Sequence, residues 1–321
     1  MSVLIFVEID NGSIKKTSLE AIAYGSAVAQ MEGTSVTVLA IGIADASELV
    51  KAGLYGATKV LHASATELAD ENALAYASVL AAAVQQESAE VVILPKSGLS
   101  DAMSARAAAK LGASVVSGVT ELPDLSNGFK VKRAIYTGKA FATVEVKGKI
   151  KILGVRKNAI EAIAGSGIAD VVTFSPALNG SDFVAKVINQ EKASGELSLA
   201  EADIIVSGGR GMKGPEHWQP LLDLANALGA ATGCSKPVSD LDWRPHHEHI
   251  GQTGIKVAPN LYIACGISGA IQHLAGVNSS KFIVAINKDP EAPFFKAADY
   301  GIVGDIFEVL PRLTKAVLES K

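Results

Sequence analysis

The sequence predicts an α/β protein of two domains, and three observations carry that expectation. Short aliphatic runs alternate with Ala-rich stretches of helical spacing, the order expected of buried parallel strands covered by helices. Hydrophobic residues make up 49% of the 321-residue chain but aromatics only 5%, so the core is built from small aliphatic side chains. Many strand-like runs end in glycine or small polar residues, at the ends where open parallel sheets bind ligands. The length suits a first domain over residues 1–190 and a second over 191–321.

Taken in order, Val3-Leu-Ile-Phe-Val7 reads as a strand and residues 18–31 as a helix, with Ser18 as its cap and Leu19, Ile22, Ala23, Ala27 and Val28 on its apolar face. Val36-Thr-Val-Leu-Ala-Ile41, Lys59-Val-Leu-His62 and Val91-Val-Ile-Leu94 read as further strands. Residues 46–53, 71–87 and 102–111 read as the intervening helices, the last stopped by Gly112. From Val119 the rhythm changes. Runs of β-type residues at 129–136, 140–146 and 150–155 are separated by Asn127-Gly128 and Lys147-Gly148, which predicts an antiparallel meander. Residues 163–198 are irregular and read as the passage between domains. The second domain opens with a strand at 202–207, a glycine-rich junction and a helix over 217–228. Strands follow at Leu261-Tyr-Ile-Ala-Cys265, Phe282-Ile-Val-Ala-Ile286 and Tyr300-Gly-Ile-Val303. Asp305-Ile-Phe-Glu-Val-Leu-Pro311 leads into a last helix.

The bulk chemistry excludes several classes. A formal charge of -4 leaves no electrostatic footprint for nucleic acid. Two cysteines exclude a disulfide framework and favour a reducing compartment, and Cys265 reads as a small core hydrophobe. The first residues read as a strand rather than a signal peptide, and no apolar run reaches membrane-spanning length. The expectation is a cytoplasmic protein that is not membrane-embedded. His246-His247-Glu248-His249 tempts a metal reading, but it lacks the i, i+4 pair or distant partner of a zinc site, so a solvated loop without metal is expected.

Chemistry concentrates at two strand–glycine junctions, Ser207-Gly-Gly-Arg-Gly211 and Cys265-Gly-Ile-Ser-Gly-Ala270. Glycine admits close approach of backbone to a phosphate, and free N–H groups at a helix start attract anions. Ser268 reads as a helix N-cap, and Arg210 adds a fixed positive charge suited to a pyrophosphate or an electron-rich ring. Neither junction has the dinucleotide fingerprint G-x-G-x-x-G or the P-loop lysine. Gln252 and Thr253 lie between glycines. Gln272 and His273 occupy a first helical turn, which favours a neutral imidazole. Asn287 ends one strand and Asp305 follows another. Together these supply amide, hydroxyl and imidazole groups suited to a large polar cofactor.

The run from Leu261 to His273, with Ile283-Val-Ala-Ile-Asn-Lys-Asp-Pro-Glu-Ala-Pro293, Tyr300-Gly-Ile-Val-Gly-Asp305 and Gly251-Gln-Thr-Gly254, resembles the electron-transfer flavoprotein alpha subunit. The resemblance implies a nucleotide-hydrolase-like first domain that makes the subunit interface and a Rossmann-like FAD-binding second domain. It further implies a heterodimer with a beta subunit. Such an assembly is an electron carrier rather than an enzyme. It would take electrons from acyl-CoA or other flavin dehydrogenases, as in fatty acid β-oxidation, and pass them to a membrane quinone oxidoreductase. Carried over by position, the FAD contacts would be Arg210, Ser235, Lys236, Ile250, Gly251, Gln252, Thr253, Ser268, Gly269, Ala270, Ile271, Gln272, His273, Asn287, Asp305 and Ile306. Thr253 would meet the flavin N5 edge, His273 the O2 carbonyl, residues 266–270 the pyrophosphate, and Asn287 with Asp305 the adenosine half.

Lys236 departs from the arginine usual in the family and loses the planar guanidinium that can stack on a flavin. A nicotinamide-dependent dehydrogenase is disfavoured by the missing fingerprint. An NADH-oxidising, electron-bifurcating relative and a nucleotide-binding module are the competing functions that the residues leave open.

Overall fold

The computed structural model describes residues 2–138, 140–188, 199 and 201–320. The chain forms two compact units, residues 1–191 and 192–321. The boundary expected at 190/191 lies outside the described residues.

In the first unit the central strand Ser2–Val7 is buried at all six positions, which is why it reads as an unbroken apolar run rather than an alternating one. Successive side chains point to opposite faces. Val3, Ile5 and Val7 join one core with the helix Lys16–Glu32, while Leu4 and Phe6 join a second with the helix Ala73–Glu87. The strand order across the sheet is Asp170–Thr173, Lys59–Ala63, Ser35–Ile41, Ser2–Val7, Val91–Pro95, Lys151–Val155, Ser114–Val119, Lys130–Ile135 and Ala140–Glu145. The first seven run parallel, and the last two add antiparallel.

The antiparallel meander exists, but its membership differs from the expected one. It consists of Ser114–Val119, Lys130–Ile135 and Ala140–Glu145, whereas Lys151–Val155 inserts parallel between Val91–Pro95 and Ser114–Val119. The Lys151–Val155 strand is nearly all buried, with Ile152 and Leu153 fully so, and only a central position satisfies such a run. Residues 170–173, expected to be irregular, form an edge strand on Lys59–Ala63. Ser18 is not a cap. The Lys16–Glu32 helix starts two residues earlier, and the buried Ser18 hydroxyl accepts the Glu8 N–H at 2.9 Å. The helix Gly98–Leu111 likewise begins before its expected start, capped by Ser97, whose Oγ accepts the Ser100 N–H at 3.0 Å; Gly112 ends it at φ 62°.

The second unit is an open, fully parallel, Rossmann-like sheet in the order Ala231–Cys234, Ile204–Gly208, Leu261–Cys265, Phe282–Asn287, Tyr300–Val303. Numbered by sequence this is 2-1-3-4-5. The direction of winding therefore reverses between Ile204–Gly208 and Leu261–Cys265, which places the ligand crevice beyond the C-terminal ends of those two strands. Ile263 and Cys265 face the helices Gln219–Leu228 and Ile306–Glu319, while Tyr262 and Ala264 face the side of the short helix Ile271–Val277. The last helix starts at Ile306 and carries Pro311 within it rather than beginning after it. Among the described residues, no helix is long and apolar enough to cross a membrane.

Candidate functional site

The two glycine junctions cross at the reversal point. Gly209 N–H donates to Cys265 O at 2.9 Å, and Gly211 N–H donates to Gly266 O at 3.0 Å. A Cβ on Gly211 would sit 2.6 Å from Gly266 Cα, and Gly266 itself is left-handed at φ 63°. These glycines are therefore required by the packing of one loop on the other, a use that the phosphate-approach reading of the sequence did not include.

Beyond Gly266 the loop is held from behind. Gly269, at φ 84°, packs on Phe294, where a Cβ would come within 2.5 Å of the backbone nitrogen, and Ser268 O accepts the Phe294 N–H at 3.0 Å. Asn287 fixes the same loop: its Nδ2 donates to Ile267 O at 3.0 Å while its Oδ1 accepts the Asp289 N–H at 3.0 Å. Among the described residues, the backbone N–H groups of 267–270 have no acceptor, and Ser268 and Ala270 are exposed. Ala270 is the N-cap of Ile271–Val277, so Ser268 is not the cap, and its hydroxyl is spared that task.

A second loop is clamped onto that helix. Gln252 N–H donates to Gln272 O at 2.7 Å, and Gly276 lies so close to Gly251 that a Cβ would stand 2.6 Å from its Cα. The clamp leaves Gln252 and Thr253 exposed. Between the loops is a cavity of about 550 Å3 lined by Arg210, Ser235, Lys236, Ile250, Gly251, Gln252, Thr253, Ser268, Ala270, Gln272, His273 and Asn287. Twelve of the sixteen residues expected from sequence thus meet in one place. Gly269, Ile271, Asp305 and Ile306 do not line it. Gly269 is turned against Phe294, Ile271 is exposed elsewhere, and Ile306 belongs to the core beneath the last helix. Asp305 caps that helix through the Phe307 N–H at 3.0 Å, with Lys288 Nζ 3.8 Å from its other oxygen.

The electrostatics suit an anionic, hydrogen-bonding ligand. Arg210 and Lys236 are exposed cations at the rim, and the Lys236–Asp240 pair at 3.4 Å is too solvated to neutralise the lysine for a ligand. Ser235 is buried and makes no capping bond in the short helix that it precedes. His273 is buried, and its Nε2 lies 2.8 Å from the Tyr262 hydroxyl. Burial pushes its pKa down to about 4, so the ring is neutral near pH 7.

The cavity also includes residues that sequence reasoning passed over, notably Pro237, Asp240, His249 and Asp289. His249 falls in the stretch read as a solvated loop, and that reading is corrected at two positions. Glu248 and His249 are buried. Glu248 pairs with Arg244, whose Nε donates at 2.8 Å, and accepts the Thr232 hydroxyl at 3.1 Å. Burial, then the nearby Lys236, holds the His249 pKa below its ordinary value. The i, i+4 spacing of Arg244 and Glu248 was the available signal that this turn is pinned inward. Among the described residues, no group of three His, Cys, Asp or Glu side chains is placed to hold a metal.

The donor set therefore fits a dinucleotide bearing a polar ring system. It offers cations and free N–H groups for phosphate, hydroxyl and amide groups at the mouth, and two neutral imidazoles in the wall. Comparison with known proteins agrees. Residues 3–179 match the electron transfer flavoprotein domain, and residues 198–278 match the electron transfer flavoprotein FAD-binding domain. The chain is 41% identical over 320 residues to an electron transfer flavoprotein subunit alpha of Bacillus subtilis (strain 168), covering 98% of this chain and 96% of the relative. It is 38% identical to the Pseudomonas aeruginosa subunit, over 99% of this chain and all of that one. It is 37% identical to a Caenorhabditis elegans protein described as a probable mitochondrial alpha subunit, covering 98% and 93% of the two chains. With matches that run through both units and across the loops that build the cavity, the chain belongs to the electron-transfer flavoprotein alpha-subunit family, whose cofactor is FAD.

Proposed function

We propose that this chain is the FAD-holding half of a heterodimer with a beta subunit, taking electrons from flavin dehydrogenases of the acyl-CoA type and passing them to a membrane quinone oxidoreductase. The observation that carries this reading is the convergence of the family's motif residues on one cavity at the sheet's reversal point. In this assignment residues 1–190 provide the subunit interface and residues 191–321 hold the cofactor. FAD, when bound, supplies the redox chemistry. The chain's own residues bind, orient and screen it. Arg210 and the free N–H groups of 267–270 would hold the pyrophosphate. Thr253 would offer its hydroxyl to the flavin N5 edge, and His273 would sit by the O2 carbonyl. Donors so placed favour negative charge developing on the ring. Asn287 shapes the adenosine side by holding the 267 loop, with Asp305 farther along the same edge.

A nucleotide-binding role for the first unit is disfavoured by Glu8. Its buried carboxylate accepts the Ser97 hydroxyl and, at 3.2 Å, the Ser100 hydroxyl, with Lys15 Nζ 3.5 Å away. Glu8 follows the central strand and Ser97 caps the helix that follows the neighbouring strand Val91–Pro95, so the position where a phosphate would sit in such a sheet is filled by the chain's own anion.

The test is purification of the chain with its beta subunit, followed by anaerobic mixing with an acyl-CoA dehydrogenase and its substrate. Bleaching of a yellow flavin band on that addition is the expected outcome. A flavin-free complex would overturn the reading. A flavin reduced by NADH alone and not by the dehydrogenase would replace the electron route with the bifurcating one.

A further inference from the structure

His273 is held by two aromatic neighbours that take no part in lining the cavity. Tyr262 and Phe294 stack at an interplanar angle of 13°, and the imidazole meets Phe294 edge-on at a ring separation of 5.8 Å. The polar contact in this cluster is the 2.8 Å approach of Tyr262 Oη to His273 Nε2. Tyr262 is fully buried, and burial drives its phenol further above its ordinary pKa, so the hydroxyl keeps its proton. The fully buried Ser207 hydroxyl lies near enough to influence that phenol but meets no group in hydrogen-bond geometry.

The phenol proton then has one bonded acceptor, the Nε2 lone pair. Were Nε2 itself protonated, the phenol oxygen would have to accept. Its own proton would then have only the Ser207 oxygen to face, which lies outside hydrogen-bond geometry, so most of the cost of desolvating it would remain. Burial removes the third state, the imidazolium, near pH 7. The remaining ring nitrogen, Nδ1, is buried and without a partner in hydrogen-bond geometry, and the nearby Ile250 backbone raises the ring's basicity, as a carbonyl facing an N–H would. Ile250 and His273 line the same cavity.

We propose that Tyr262 is a positioning residue that fixes His273 as the Nδ1–H tautomer, so that the ring edge away from Tyr262 carries a proton rather than a lone pair. The inference rests on the reading of the cavity as the flavin site, and it adds to that reading the residue that selects the donor.

The test uses the complete heterodimer with FAD bound and histidine labelled with 15N. Long-range proton–nitrogen correlation in the wild type should show His273 with a protonated Nδ1 and an unprotonated Nε2. Tyr262→Phe keeps the ring that stacks on Phe294 and removes only the hydroxyl. In it the ratio of Nδ1–H to Nε2–H should fall roughly tenfold, the loss of about one buried hydrogen bond. The flavin midpoint potential should move to more negative values, in the same direction as in His273→Ala and no further. A wild-type Nε2–H signal overturns the proposal without need of any variant. An unchanged tautomer and potential in Tyr262→Phe, with a shifted potential in His273→Ala, overturns the proposal and leaves the site reading intact. An unchanged potential in His273→Ala defeats the site reading itself.

Discussion

Acidification should destabilise the second unit through His273, and the size of the effect follows from its burial. The ring is 6% exposed, and its pKa falls from an ordinary 6.5 to about 4 in the folded chain. The folded pKa is the lower one, so between those values the unfolded chain binds the proton and the native one does not. Stability is complete above about pH 6.5 and is lost as pH falls toward 4, below which both states are protonated. At pH 5 the loss is about 2 kcal/mol relative to pH 7, and the full span is worth about 3 kcal/mol. The assay is urea unfolding followed by tryptophan fluorescence. Both tryptophans, Trp218 and Trp243, lie in the second unit, so the signal reports that unit alone. The buried His249 titrates in the same sense and steepens the wild-type slope, so the comparison is with His273→Gln. The variant should lose about 2 kcal/mol less than the wild type between pH 7 and pH 5. Equal losses in the two proteins would refute the neutral, buried imidazole.

Three further outcomes follow from the geometry. Gly266→Ala places a side chain in the left-handed region and within 2.8 Å of Gly211 Cα, and should cost about 1–3 kcal/mol in urea unfolding; a neutral result would show that the two loops do not pack as described. Arg244→Ala strands the buried Glu248 carboxylate and should cost about 3 kcal/mol, with part regained in the double variant carrying Glu248→Gln; no recovery would refute the pairing as the cause. Lys236→Arg, at an exposed cavity-lining position, should leave unfolding within about 0.5 kcal/mol yet change the flavin potential in a redox titration, because a planar guanidinium can stack where an ammonium cannot. An unmoved potential would place residue 236 away from the ring.

Much of this was legible because parallel sheets advertise themselves. Strands buried on both faces, such as Ser2–Val7 and, but for its first residue, Leu261–Cys265, must be apolar along their length, and each run was visible in the sequence. What the sequence hid was pairing. The run at 150–155 has the composition of a strand whether it closes a meander or enters the middle of a sheet, and only the tertiary packing of Ile152 and Leu153 decides. The short Ala231–Cys234 strand, ending in Gly233 and Cys234, was too brief to register as an element at all. The site shows the same division. Glycine and small polar residues marked the loops, but the sequence does not distinguish a glycine that faces a phosphate from one that faces another glycine, as Gly211 and Gly266 do. His249 was missed because three histidines and a glutamate in a row look solvated. Its burial depends on Gly254, where any Cβ would come within 2.8 Å of the imidazole, and on the Arg244–Glu248 pair that turns the segment inward.

FAD, in the proposed assignment, occupies the cavity between the 210, 235, 250 and 266–273 segments. Ala270 lines that cavity yet is exposed, so Ala270→Trp adds bulk to the space without entering the core. The deciding measurement is the flavin content, by absorbance and by released FAD, of wild-type and Ala270→Trp chains each purified with the beta subunit. One FAD per chain in the wild type, and its loss in a variant with unchanged thermal unfolding of the apoprotein, is the predicted result. A full complement of FAD in Ala270→Trp would contradict the assignment of this cavity.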